Sequence, residues 1–117
     1  MKTKIIKALR NLAIPPHILG YEYLKTAIEI CIEDKTAIHK ITKVVYPQVA
    51  KTHLTTASRV ERAIRHSIEL SLTRVDREEL NKYFYIPKDS KLTGVTNSEY
   101  IASIVEVLRM DKENENE

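Results

Sequence analysis

Apolar residues recur along this chain at the three-and-four spacing of amphipathic helices, in blocks separated by proline, glycine and polar clusters. In the first block Ile5, Ile6, Leu9 and Leu12 share a side, with Lys4, Lys7, Arg10 and Asn11 toward solvent. That pattern predicts a helix over residues 2–12, ending at Ile14-Pro15-Pro16 because a residue before proline is pushed out of the α region. Leu24, Ala27, Ile28 and Cys31, with Tyr21 and Ile32 alongside, predict a core helix that starts at His17 or Gly20 and reaches Asp34. A third helix is expected over residues 36–46, with Ile38, Ile41, Val44 and Val45 inward, Lys40 and Lys43 outward, and Pro47 as its end. Residues 76–85 form a short helix with Asp76 as a suitable cap and Leu80, Tyr83 and Phe84 as its apolar contribution, followed by a polar loop over residues 86–95. Asn97 or Ser98 then caps a last helix whose stripe of Ile101, Ile104, Val105 and Leu108 closes the core. Beyond Met110 the chain is too polar and acidic to pack, so residues 111–117 read as a frayed or disordered tail.

The most informative block is TTASRVERAIRHSIELSL, residues 55–72. At about 100° per residue Val60, Ile64, Ser67, Ile68 and Ser71 fall on one side and Arg62, Arg65 and Glu69 on the other, with Arg59, Glu61 and His66 flanking the polar side. Thr55, Thr56 and Ser58 are residue types that cap helix starts, and Ser58 with Glu61 has the S-x-x-E spacing of a capping box. A charged face is often a solvated face and nothing more. The preceding residues change that reading: Pro47 opens a short helix over residues 47–53, and a tight connection leads into the next. Ala50 stands where a helix-turn-helix needs a small residue, and Val60 where it needs an aliphatic. Leu54 stands where many such turns have glycine, so the turn avoids a positive φ or Leu54 bears it.

Bulk properties narrow the class. A chain of 117 residues with 43% hydrophobic content makes one domain with one core. Two glycines, four prolines and abundant Ile, Leu, Lys, Glu and Ala favour an all-α fold, a single compact domain of about six helices over residues 1–110. Cys31 is the single cysteine, which excludes an internal disulfide and fits a reducing cytoplasm. No apolar run is long enough for a membrane span, so no membrane partner is expected. The net charge of +3 understates the basic character, since the tail carries a local −3 and residues 1–110 carry +6. A basic body of this kind suits a polyanionic partner.

Candidate chemistry is sparse apart from recognition. His17, His39, His53 and His66 have no metal-ligand spacing, Cys31 has no partner base placed by sequence, and neither a phosphate loop nor a catalytic triad pattern is evident. No catalytic residue, metal or cofactor is therefore expected. An α-helix fits the major groove of double-stranded DNA, where guanine offers O6 and N7 to arginine and cytosine offers an amino donor to glutamate. Arg59, Glu61 and Arg62 form a sensible base-reading set near the helix start. Glu61 has three open roles: acceptor from cytosine, orienter of a neighbouring arginine, or capping-box acid. Lys51, Thr55, Thr56, Ser58, Arg65 and His66 are candidates for phosphate contacts, although Arg65 can instead pair with Glu61 or Glu69.

The run ITKVVYPQVAKTHLTTASRVERAIRHSIE, residues 41–69, resembles the effector domain of the stage-zero sporulation master regulator, a response-regulator transcription factor of endospore-forming bacteria. IPPHILGYEYL at residues 14–24 and TNSEYIA at residues 96–102 resemble the same domain at matching distances. The resemblance implies a cytoplasmic transcription regulator reading a TGTCGAA-like box, with Arg59, Glu61 and Arg62 at the base-contacting positions. It also implies head-to-tail pairing on tandem DNA sites and contact with RNA polymerase sigma factor through residues 75–88, a region that begins at Val75 and closes on Lys88. Here that region is more charged, and Val95 stands where the family often has proline. In the family this domain is the output half of a longer protein with a receiver; this chain is expected to be either such an effector domain or a stand-alone relative. The competing reading is a helical protein-interaction module that sequesters another regulator, which would not need Arg59, Glu61 and Arg62 together.

Overall fold

The computed structural model describes residues 1–84 and 94–115. Its long helices are α1 (Lys2–Asn11), α2 (Leu19–Glu33), α4 (Ala57–Arg74) and α6 (Asn97–Glu115), with short α3 (Tyr46–Thr52) and α5 (Arg77–Leu80) between them. Among the described residues every regular element is helical. The all-α expectation therefore holds, and α2 is the central element, touching α1, α3, α4 and α6. Its Leu24, Ala27, Ile28 and Cys31 are completely buried. Burial pushes the Cys31 thiol up to about 11, so this residue is a packed small apolar group and a poor nucleophile.

The end of α1 is set by a residue in the left-handed region. Ala13 has φ 60°, and the Ile14 amide donates to the Leu9 carbonyl at 3.0 Å, which closes α1 ahead of the prolines that the sequence points to. The C-terminus of α2 is closed from outside: the Arg109 guanidinium of α6 donates to the Cys31 carbonyl and, at 3.0 Å, to that of Ile32. Carbonyls at a helix end lack intrahelical donors, so this arginine satisfies them and fixes α6 against α2.

The single third helix expected over residues 36–46 is not formed. A tight 3-10 turn at Lys35–His39 is followed by a π turn at Ile41–Val45, which runs straight into α3. The Asp34 carboxylate accepts from the Thr36 amide at 2.9 Å and hydroxyl at 2.7 Å, and these bonds hold its pKa below the usual range. Further on, the Val45 amide reaches back to the Lys40 carbonyl at 3.2 Å, one residue beyond the α step. Pro47 lies in the first turn of α3, where its missing N–H costs nothing. Pro47 thus opens α3 as expected, but the helical path that leads into it is not broken there.

Capping also differs from expectation. Thr96, not Asn97 or Ser98, caps α6: its hydroxyl accepts from the Glu99 amide at 3.1 Å and donates to the Glu99 carboxylate at 3.0 Å. Asp76 caps α5 as expected, but that helix ends at Leu80, with Tyr83 and Phe84 half-buried in the turns that follow. Most of the polar loop expected over residues 86–95, up to residue 93, lies outside the described residues, as do residues 85–88 of the region compared with the sigma contact. The acidic segment is helical as far as Glu115, with residues 111–114 exposed, so it adds helix without adding packing.

Tyr100 and Ser71 form a polar contact in the fully buried core. Ser71 Oγ lies 2.6 Å from the Leu12 carbonyl and 2.6 Å from the Tyr100 hydroxyl. A carbonyl can only accept, so Ser71 donates to Leu12 and Tyr100 donates to Ser71. Three segments are thereby joined with every buried polar atom of the trio partnered, and burial raises the Tyr100 pKa.

Candidate nucleic-acid interface

Helices α3 and α4 form the helix-turn-helix. Ala50 and Val60 are both buried at their junction, where a small and an aliphatic side chain let the helices approach. In the turn between them the Thr55 amide donates to the Ala50 carbonyl at 2.9 Å, and Leu54 takes φ 56°. This is the glycine-favouring end of a Schellman motif occupied by leucine. Leu54 therefore bears the positive φ, and its side chain is 94% exposed.

Thr56 caps α4, accepting from the Arg59 amide at 3.3 Å. Ser58 lies within the helix, so the expected Ser58 and Glu61 capping box does not form. Glu61 instead pairs with Arg65 one turn on, both partly exposed. Of its open roles, orientation of a neighbouring arginine is the one that this pair fits.

The inward side of α4 is as the periodicity predicts: Val60, Ile64, Ser67, Ile68 and Ser71 are buried. Its position against α2 depends on Gly20. A β-carbon there would overlap Ser67 Oγ and the Ala63 carbonyl, so only glycine allows the two helices this close. Ser67 satisfies its own hydroxyl by donating to the Ala63 carbonyl at 2.9 Å.

The outward side carries Arg59, Arg62, Arg65 and His66, all exposed. A hollow lies on each side of it. On the α2 side Arg59, Arg62 and His66 face Leu19, Tyr23 and Leu54 across a groove of about 460 Å³. Its wall is braced by His53, whose ring meets Tyr23 edge-on at 5.1 Å and whose Nε2 shares a hydrogen bond of 2.7 Å with Thr26 Oγ1. On the α6 side Glu61 and Arg65 face Tyr46, Thr96 and Asn97 across a polar hollow of about 300 Å³. Here Asn97 Nδ2 donates to the Tyr46 hydroxyl at 3.0 Å and to the Glu61 carbonyl at 3.1 Å, tying the start of α6 to both helices of the motif. Burial raises the Tyr46 pKa.

The residues singled out from sequence for phosphate contact differ in what they have free. Lys51 and His66 are exposed, and Ser58 is exposed beside Thr56. Thr55 is half-buried with its amide used in the turn, Thr56 spends its oxygen on the cap, and Arg65 is engaged with Glu61. Asn97 and His53 were not foreseen as braces of the motif. Their types are compatible with such roles, but their partners lie far away in sequence, so no local pattern marks them. Among the described residues no three His, Cys, Asp or Glu side chains cluster as a metal site would require, and no helix is long and apolar enough to cross a membrane.

Residues 5–108 match the family described as sporulation initiation factor Spo0A C terminal, which spans nearly the whole chain. The chain belongs to that family and is a DNA-binding effector domain of the sporulation regulator type.

Proposed function

We propose that α4 enters the major groove and reads a TGTCGAA-like box, with Arg59 and Arg62 donating to guanine and Glu61 holding Arg65 beside them. The observation that carries this reading is the division of α4: one side is locked into the core, while Arg59 and Arg62 project from the other. Lys51, His66 and Ser58 then supply phosphate contacts, with Thr55, Thr56 and Arg65 contributing as their existing bonds permit. Two copies pair head-to-tail on adjacent boxes. Sigma factor is contacted through residues 75–88, and the protein acts in the cytoplasm.

The test is a band-shift titration of this chain on duplexes with and without the box, at two salt concentrations. Preferential binding to the box, weakening steeply with salt through counterion release, is the expected result. Equal binding to both duplexes would remove the base-reading part of the proposal.

A further inference from the structure

The groove between α4 and the start of α2 holds a feature that packing within the chain does not explain. Leu54 sits in the left-handed region, which disfavours a side chain with a β-carbon, and its aliphatic group gains no burial because it is 94% exposed. Glycine or asparagine would fit the same turn at less local cost. Leu19, the first residue of α2, lines the same groove and is 69% exposed. These two apolar side chains face Arg59, Arg62 and His66, and no acidic side chain lines the groove.

A suitable occupant presents apolar and anionic surfaces in close alternation. Deoxyribose and phosphate do this along a DNA strand. The location agrees with that chemistry, because a helix about 10 to 12 Å across seated in a major groove about 12 Å wide has one backbone along each flank. This groove is one flank of α4.

We propose that the groove seats one strand of the DNA backbone, with Leu19 and Leu54 packed on deoxyribose and His66 beside a phosphate. This rests on the reading of α4 as the recognition helix. It adds an apolar grip, which contributes affinity on any sequence and releases no counterions.

The experiment compares Leu54→Gly, Leu19→Ser and the parent, each titrated on a box duplex and on a random duplex of equal length, at three salt concentrations. Leu54→Gly relieves the positive φ, so its melting temperature should not fall, which keeps a binding loss interpretable. Both variants should bind both duplexes about three- to tenfold more weakly, the scale of losing part of one buried aliphatic contact. The slope of affinity against salt should stay as in the parent. Parent-like binding by both variants overturns the proposal. A loss confined to the box duplex, and absent when its thymines are replaced by deoxyuridine, also overturns it, because Leu54 would then be reading a methyl group. The parent's own preference for the box tests the underlying reading separately: if the parent prefers the box while the leucine variants change nothing, only the backbone seat fails.

Discussion

The two sides of α4 obey opposite rules. On the inner side Val60, Ile64, Ser67, Ile68 and Ser71 are buried, the two serines have their hydroxyls satisfied, and Gly20 of α2 leaves no room for a single added carbon. On the outer side Arg59, Arg62 and His66 stand in solvent, and the pair formed by Glu61 and Arg65 is partly exposed. The inner side sets where the helix is, and the outer side is left to recognise something else. Substitutions inside should therefore act on stability, and substitutions outside on binding.

The largest effect should come from Gly20→Ala. The new β-carbon meets a backbone carbonyl as well as Ser67 Oγ, so α2 and α4 must separate, at a cost of about 3 kcal/mol in urea unfolding. Adding Ser67→Ala should recover only part of the loss, since the Ala63 carbonyl remains. Full recovery in the double variant would show that the hydroxyl alone makes the contact tight.

Ser71→Ala should cost about 2 to 3 kcal/mol, because it strands the Leu12 carbonyl and the Tyr100 hydroxyl without partners in a dry core. Box preference should persist in the folded fraction. A variant that kept its melting temperature would mean that these groups find other partners.

Arg62→Ala tests the outer side. It should remove about 1 to 3 kcal/mol of discrimination between a cognate duplex and one with a single G·C pair replaced, while the melting temperature hardly moves. Arg62→Lys should restore affinity without full specificity, because an ammonium group cannot copy the paired donors of guanidinium. Undiminished discrimination by Arg62→Ala would take this residue out of the reading set.

Lys51→Ala should weaken specific and random DNA by the same factor, roughly fivefold, and reduce the salt slope by about one. A changed sequence preference instead would reassign Lys51 to base contact.

The smallest effect is expected for Arg65→Ala, which breaks a solvent-exposed pair one turn apart and should cost less than about 0.5 kcal/mol in thermal unfolding. A larger loss would mean that the pair braces the polar hollow beside Asn97, drawing the outer side into the stability of the fold.

The sequence alone determined the helical class, the buried stripe of α4, the closing stripe of α6 and the place of the helix-turn-helix. These depend on apolar periodicity and on spacing within a few turns, which sequence order carries directly. Local order also left two open answers at Leu54, and the structure chose the strained one, because the Thr55 amide bonds back to Ala50 and requires a positive φ between them. Competing local signals explain other differences. Ser58 and Glu61 have capping-box spacing, but Thr56 takes the cap and Arg65 takes the carboxylate. Pro47 reads both as the end of one helix and as the first turn of the next; it stands in the first turn of α3, and the π turn before it leaves no break in the path.

Only the tertiary structure decided that Gly20 sets the spacing of α2 and α4, that Arg109 closes α2, that Asn97 ties α6 to the motif, and that Leu19 shares a groove with Leu54. Each of these joins residues distant in sequence. The contact exists only once the packed stripes have brought separate helices together, so no window along the chain contains it.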